Sequence, residues 1–524
     1  MKQFYYIFIF FSILLYSSNI YSICKIYYTK NNASVYPENF SHLNYTNTNA
    51  KQGGTLKLIT DISFNTTNPF DITKQLPPYY LLLAYESLFI APLDDINTLH
   101  PLIAKNFCIF KNTITINLHN KSFWNDGTPI LAKDITFALN NIKNTYHPFY
   151  TSLAKNIKSI NIINNVSVSV EFYQLSDDLI YSLFTLPLRN FKGATSGPYI
   201  IKKINFGQEL VLQKNHKYWA TNLPIRKYQF NFDTIIIKTQ HHSYSILDAF
   251  SNKNVNYYTQ DNFNHLKLFN EQFLKKNYLK ILSTQKNSIP RFYGLFFNLS
   301  KNTLQDINIR TAILLAYDFS YVNKKFFNKS YKRFNSLFIN SKFYNDNNIN
   351  NHKNLKLASK YLDASDFIFV NNIRIHKTQH TQLILNIIFS NEETLLTSLH
   401  WIKNLQILGI KVNYTILPSY SIYNYISNNN YDVIEQSYLF SNPPQEELLS
   451  YFSNHTQFNY TKLQNSYINQ LINNKKFKKL DETLFAMKIF LPLYYNPLQY
   501  YIMQKNLQPM YTQFGIDLMS SYFE

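Results

Sequence analysis

The chain has 524 residues, 45% of them hydrophobic and 16% charged, with 9 Gly and two Cys. Such an apolar share excludes a disordered class, and the length is enough for about three domains of ordinary size. Fifty-one Lys and Arg against 31 Asp and Glu leave a formal charge of +20, but the lysines are dispersed, so the balance alone does not mark a nucleic-acid binder.

In chain order, Lys2, an apolar run over 4–16 and Ser17-Ser18-Asn19 predict a secretory signal peptide over residues 1–22. The run is short for a membrane-spanning helix. The mature chain is expected to begin between residues 19 and 25. Lipid anchoring through Cys24 is the alternative, although Tyr21-Ser22-Ile23 departs from the small residue a lipid site wants ahead of its Cys. Cys108, within Phe107-Cys108-Ile109-Phe110, is expected to be a buried thiol without a partner. Residues 23–50, rich in Asn, Ser, Thr and Tyr, read as a linker.

Leu56 and Leu58 open a strand, and Thr113–Leu118 alternates as a half-buried strand. Asp126-Gly127-Thr128-Pro129 is turn chemistry, with Gly127 free to take positive φ. Leu131, Ile135, Leu139 and Ile142 then recur at helical spacing. Residues 199–203 and Glu209–Lys214 form a hairpin, and 234–238 a short strand. Residues 344–354 are an Asn-rich loop. Farther on, a strand over 383–389, a helix over 393–408 and a strand over 410–416 make a βαβ crossover, so one sheet has parallel strands. Leu395, Leu399, Ile402 and Leu405 are expected on the helix's buried face, with Gly409 ending it.

The search for chemistry finds little. His376 and His380 stand four apart, but Lys377 sits where a zinc protease would carry Glu. His241-His242 would point to opposite sides of a strand. Gly193-Ala194-Thr195-Ser196-Gly197 has Thr where a nucleophile elbow has Ser, and Pro198 with a strand follows instead of a helix. No metal, cofactor or catalytic residue is expected, and the chain reads as a binding protein rather than an enzyme.

A set of phrases carries a resemblance. Phe123-Trp124-Asn125-Asp126-Gly127-Thr128-Pro129 with Ala132-Lys133-Asp134-Ile135 resembles the F-x-D-G-x-P-x-T-A-x-D-V pattern of extracellular solute-binding proteins of family 5. Gly53-Gly54-Thr55-Leu56, Asn68-Pro69-Phe70, Tyr85-Glu86-Ser87-Leu88 and Pro101-Leu102-Ile103-Ala104 precede it in the family's order. Thr195-Ser196-Gly197-Pro198-Tyr199, Tyr218-Trp219, Asn231-Phe232-Asp233 and Leu247-Asp248-Ala249-Phe250 follow. Phe297-Asn298, Arg310 with Ala312, Leu315-Ala316-Tyr317-Asp318 and Leu408-Gly409-Ile410 complete the series. The phrases at 85–88 and 231–233 resemble most the branch that takes microcin-C-type peptides.

The resemblance implies an α/β, two-lobed periplasmic binding protein fold (type II, the large peptide-receptor cluster) with an extra inserted domain and a hinged cleft. One lobe would comprise 51–80, 190–285 and 490–524, with 81–189 inserted in it and 286–489 as the second lobe. Strands near residues 280 and 490 would be the hinge. It further implies a periplasmic, monomeric receptor of an ABC importer that captures peptides and delivers them to permease subunits at the inner membrane, without binding nucleic acid.

The ligand residues it implies are Asn65, Thr66 and Asn68, after the first strand, and Gln436, Tyr438, Phe440 and Asn442, after Tyr431-Asp432-Val433-Ile434. Strand alternation puts Tyr438 and Phe440 on one face with Leu439 opposite, as an aromatic wall for varied side chains. Oligopeptide receptors place an Asp here for a peptide's amine; this chain offers Glu435, Glu446 or Glu447 instead. Arg310 and Asp318 are expected to be structural. Heme, a nickel chelate or an oligosaccharide on the same fold, and a basic envelope protein binding polyanions, are the alternatives.

Overall fold

Alternation of apolar and polar residues builds the first sheet of this computed structural model, which describes residues 23–30, 34–60, 64–70, 78–144, 150–239, 243–260, 263–417, 419–441, 444, 447–453 and 458–524. Strand Thr113–Leu118 buries Ile114, Ile116 and Leu118 and lies between Ala104–Phe110 and Ser167–Phe172, all antiparallel. The strand Ile157–Asn164 closes one edge and Ile23–Lys25 the other. The turn forms as its residues require. Asp126 Oδ1 accepts from the Thr128 amide at 2.9 Å, and Gly127 holds φ at +83°. Asp134 Oδ2 accepts from the Leu131 amide at 2.9 Å and starts helix Ala132–Asn144, which buries Ile135, Ala138, Leu139 and Ile142 over the sheet.

By its internal contacts the chain divides into two units: Met1–Tyr258 with Gln272–Lys280 and Ile502–Glu524, and Thr259–Glu271 with Ile281–Tyr501. A seven-stranded sheet runs through the first, in the order Tyr199–Asn205, Glu209–Lys214, Thr234–Thr239, Thr55–Thr60, Tyr257–Gln260, Leu498–Gln504, Leu279–Gln285. The division between the units falls inside the last three strands. Thr55–Thr60 runs parallel to Thr234–Thr239, and Leu56 and Leu58 are its buried residues.

The second unit has a mixed five-stranded sheet ordered Lys411–Ile416, Ile384–Phe389, Val433–Tyr438, Phe292–Phe297, Phe490–Pro492. Its first two strands are parallel and joined by helix Glu392–Ile407, which is the crossover the sequence predicts. Gly409 holds φ at +84°, and a Cβ there would lie 2.7 Å from Phe369, so the position requires Gly. The helix's buried face differs from the expected one. Leu399 is 42% exposed, whereas Thr397, Ser398, Trp401, Ile402, Asn404 and Leu405 are buried. Trp401 Nε1 donates to Ile313 O at 3.0 Å and Asn404 Nδ2 to Ala316 O at 2.8 Å. Those carbonyls, in and just after helix Ile307–Leu315, satisfy the polar groups and rotate the buried face toward them.

Two expectations for the start of the mature chain are corrected. Cys24 and Cys108 form a disulfide, so neither is a free thiol, and Cys24 Sγ is already used. They are directly opposed in the pairing of Ile23–Lys25 with Ala104–Phe110. The segment read as a linker is packed onto the same unit: Tyr28 donates to Asp177 at 2.8 Å, Lys30 to Asp178 at 2.9 Å and Tyr36 to Asp94 at 2.5 Å. No helix among the described residues is long and apolar enough to cross a membrane.

The disulfide closes a sequence separation of 84 residues. Cys24→Ser with Cys108→Ser should lower stability by about 2–5 kcal/mol in denaturant titrations. Thiols that alkylate in the denatured, unreduced protein would contradict the bridge.

In the second unit Asp481, on helix Phe477–Ala486, is fully buried. Its carboxylate accepts from the Leu337 amide at 2.8 Å and from Asn347 Nδ2 at 2.7 Å, tying the 336–347 segment to the helix. Burial pushes this carboxyl up from 3.8 to about 7. Between those values the folded chain keeps a proton that the unfolded chain releases. Stability from this group is therefore full below the unfolded value and is lost as pH rises through about 7, on the order of a few kcal/mol. Urea titrations at about pH 5 and about pH 8 should show that fall, and Asp481→Asn should flatten it.

Candidate functional site

The expected site residues fall in both units. In the first, the strand Thr55–Thr60 leads toward Asn65, which is exposed, and Thr66, which is buried. Thr66 Oγ1 accepts from the Asn68 amide at 3.0 Å, and Asn68 Oδ1 accepts from the Phe70 amide at 3.2 Å. These side-chain turns fix the loop without a regular element. Tyr85 donates to Thr67 O at 2.5 Å, and Phe70 sits in the core against Tyr150, ring centres 6.0 Å apart. Thr66 is therefore a positioning residue, while Asn65 and Asn68 keep exposed surface.

In the second unit, Gln436 and Tyr438 lie on strand Val433–Tyr438, two positions apart, and Phe440 follows it; Asn442 and Glu446 lie outside the described residues. Alternation holds, but the expected face is reversed. Tyr438 has no exposed surface and Phe440 is 5% exposed, while Leu439 is 49% exposed. Tyr438 stacks on Tyr451 and Tyr460 with centres 4.1 and 5.2 Å away and packs against Phe296 at 4.6 Å. Its hydroxyl donates to Phe458 O at 3.1 Å, and burial pushes that hydroxyl well above its ordinary value. Phe440 packs on Phe338 at 5.3 Å. The two rings are core residues, because clustered aromatics from four segments outcompete solvent or ligand for their faces.

The exposed face of the same strand pair was not singled out in the sequence. Ser437 is paired with Tyr293 of Phe292–Phe297, Tyr293 is 44% exposed, and Leu439 extends the row. Arg291 Nη1 donates to Ser437 Oγ at 3.4 Å, and Tyr451 donates to Leu439 O at 3.0 Å. Here an aromatic ring, an aliphatic side chain, a hydroxyl and a guanidinium share one surface. The signal was present: alternation in Arg291-Phe292-Tyr293 places Arg291 and Tyr293 opposite the buried Phe292.

Two of the acidic substitutes proposed for a peptide's amine, Glu435 and Glu447, are occupied. Glu435, 3% exposed, accepts from the Ser390 amide and Asn391 Nδ2, each at 2.8 Å, at the start of helix Glu392–Ile407. Glu447 accepts from the Ser441 amide at 2.9 Å and its hydroxyl at 2.7 Å. Arg310 is structural, giving hydrogen bonds to Leu304 O, Gln305 O and Met487 O at 2.6–2.9 Å, and Asp318 caps helix Phe319–Phe327.

The remaining motif residues act as fasteners. Glu86, 1% exposed, accepts from the Tyr218 hydroxyl and from Arg226. Burial pushes its carboxyl up, and the guanidinium and phenol pull it back. Asn125 Nδ2 donates to Thr195 Oγ1 at 2.9 Å, and Asn215 Nδ2 donates to Asn125 Oδ1 at 2.9 Å. Gly197 brings its backbone so close to Leu83 O that a Cβ would lie 2.3 Å away, so the 193–197 segment is a packed turn. His376 Nδ1 accepts from the amides of Thr378 and Gln379 at 3.3 and 3.2 Å, and His241-His242 lies outside the described residues. Among the described residues, no group of three His, Cys, Asp or Glu side chains could hold a metal.

Two mixed α/β units, the first held by its motif residues, are the architecture of a solute-binding protein. The chain belongs to the family described as "Bacterial extracellular solute-binding proteins, family 5 Middle", which matches residues 98–460. It is similar to the uncharacterized protein YejA of Escherichia coli (strain K12), 24% identical over 533 residues, covering 88% of this chain and 87% of that one. A putative binding protein of Brucella suis biovar 1 (strain 1330) is 24% identical over 332 residues, covering 58% of this chain and 54% of that one. Among solved structures, the oligopeptide-binding protein AppA of Bacillus subtilis, in complex with a nonapeptide, aligns with a TM-score of 0.67 at 16% identity, covering 91% of this chain and 100% of that one. NikA of Brucella suis, in complex with Fe(III)-EDTA, aligns with a TM-score of 0.74 at 15% identity, covering 90% and 100%.

Placing Tyr438 in the core makes its truncation a stability defect. Tyr438→Ala should cost about 3–5 kcal/mol in denaturant titrations, as for other buried aromatics. A variant with parental stability but lost ligand binding would return the ring to the site.

Proposed function

We propose that the chain is the substrate-binding component of an ABC importer, which captures oligopeptides or modified peptides in the envelope and delivers them to permease subunits at the inner membrane. The family match over residues 98–460 carries this proposal. The fold likeness to a nonapeptide-bound receptor over 91% of the chain supports it. Within the family, the phrases at 85–88 and 231–233 favour the branch that takes microcin-C-type peptides. Export to the periplasm is supported by the 4–16 apolar run and by the Cys24–Cys108 bridge, since disulfides persist in oxidising compartments. With Cys24 in that bridge, the mature protein is free of a lipid anchor at this residue, and it acts as a monomer.

Binding follows from polar groups that meet a peptide main chain and apolar surface that tolerates many side chains. Asn65 and Asn68, set by Thr66, supply polar groups from the first unit, and Gln436 and Asn442 from the second. Tyr293 and Leu439 take side chains by apolar contact, and Arg291 pairs with a ligand carboxylate. The units close about the strands Leu279–Gln285 and Leu498–Gln504, which serve as the hinge of this extra-domain receptor. No covalent chemistry is involved.

Mass spectrometry of small molecules released on denaturing the purified protein tests the proposal. Peptides of varied sequence are the expected result. Heme, a nickel chelate or an oligosaccharide in their place, or a polyanion whose release tracks salt, would overturn the peptide assignment.

A further inference from the structure

A histidine taken out of water holds its neutral form more easily than its charged one, and His100, on strand Thr98–Pro101 of the first unit, is 2% exposed. Rings from the amino-terminal stretch cover it. Tyr27 stacks on the imidazole with ring centres 5.8 Å apart, and Tyr36 and Phe40 meet it edge-on at 5.9 and 5.2 Å.

Ser34 is the hub of this contact. Its Oγ lies 3.3 Å from His100 Nε2, donates to Asp95 Oδ2 at 3.2 Å and accepts from the Tyr36 amide at 3.1 Å. The Val35 amide donates to the same Asp95 oxygen at 2.9 Å. Tyr36 donates to Asp94 Oδ2 at 2.5 Å, and its hydroxyl accepts from the Asn44 amide at 2.9 Å. Farther along, the Tyr45 hydroxyl accepts from the Leu93 amide at 3.2 Å, and Asn47 donates to the Tyr522 hydroxyl at 2.9 Å. Residues 34–47 contain no helix or strand, so such contacts are what lay them on the unit.

Both roots of this stretch are fixed. Before it, Cys24 is bridged to Cys108, and after it the Gly53 amide donates to Asn231 O at 2.7 Å. The stretch can therefore lift and return while the sheets of the unit stay formed.

The groups around the imidazole set the sign of its response. Burial pulls His100 below its ordinary value of 6.5, and the Asp95 carboxylate pulls it back. Asp95 Oδ2 is already taken by Ser34 and Val35, and Asp94 Oδ2 by Tyr36. The amino-terminal stretch brings only phenols to the ring, Tyr27 and Tyr36, which offer no counter-charge, and the neighbouring strand places Ile90 opposite it. The docked form thus needs the neutral ring, while the lifted form lets it titrate at its ordinary value. Docking is at full strength above about 6.5 and weakens as pH falls below it, by up to about tenfold in the docked-to-lifted ratio per pH unit.

We propose that residues 34–47 are an acid-released strap, which lies on the first unit while His100 is uncharged and lifts from the Asp94, Asp95 and His100 surface when the ring takes a proton. The device is separate from the residues assigned to peptide binding and does not depend on that assignment.

A nitroxide on Asn39→Cys, an exposed position of the strap, tests this in the full mature chain, and a nitroxide on Lys192→Cys, exposed elsewhere in the unit, is the reference. The strap label should gain mobility between about pH 7.5 and about pH 5 and lose it again on return, while the reference label stays unchanged. His100→Gln and His100→Phe, which do not titrate, should each remove the step. A strap label with the same mobility at both values, or a step that survives both substitutions, would overturn the proposal. So would a step shared by the Lys192 label, since acid would then be loosening the whole unit.

Discussion

A carboxylate taken out of water must be neutralised where it stands, and Glu86 is the clearest case in this chain. Arg226 and the Tyr218 hydroxyl, 140 and 132 residues away in sequence, supply the neutralisation. Removing one partner of such a buried pair typically costs about 3–5 kcal/mol, since the other charge is left unpaired. The pair also brings segments together. The Glu86 carbonyl accepts from the Leu188 amide, its own amide lies against Ser196 Oγ, and Arg226 sits in the loop that precedes the 231–233 phrase. One charged contact thus joins segments far apart within the Met1–Tyr258 stretch of the first unit.

The same logic extends to the other phrases by which the chain resembles its family. Asn125 joins the Asp-Gly-Thr-Pro turn to Thr195 and Asn215, and Asn231 meets the carbonyls of Ser520 and Ser521 at the end of the chain. Each of these residues meets a partner in another segment. They identify the fold, and they are silent about the ligand. Tyr293 and Leu439, in a row with Ser437 beside Arg291, keep exposed surface.

What the sequence made legible was local. Period-two alternation located Thr113–Leu118, turn residues located Asp126 to Pro129, and the crossover over 383–416 showed its parallel strands. What it hid depends on partners. Alternation puts Tyr438 and Phe440 on one face of a strand but does not say which face meets the core, and Tyr451 and Tyr460 decided it. Helix Glu392–Ile407 hid its buried Asn404 and Trp401 for the same reason, since their carbonyl partners lie in and just after another helix. Cys24 and Cys108 looked unrelated because strand register, not spacing, makes them neighbours.

In the proposed receptor, fasteners and ligand contacts are different residues, and one paired measurement tests that division. Peptide affinity and melting temperature would be determined side by side for Asn125→Ala and Tyr293→Ala. Asn125→Ala should melt earlier yet bind peptide with parental affinity once folded. Tyr293→Ala should melt as the parent does and bind peptides more weakly across many sequences. The reverse pattern, with affinity lost at Asn125 and retained at Tyr293, would contradict the claim.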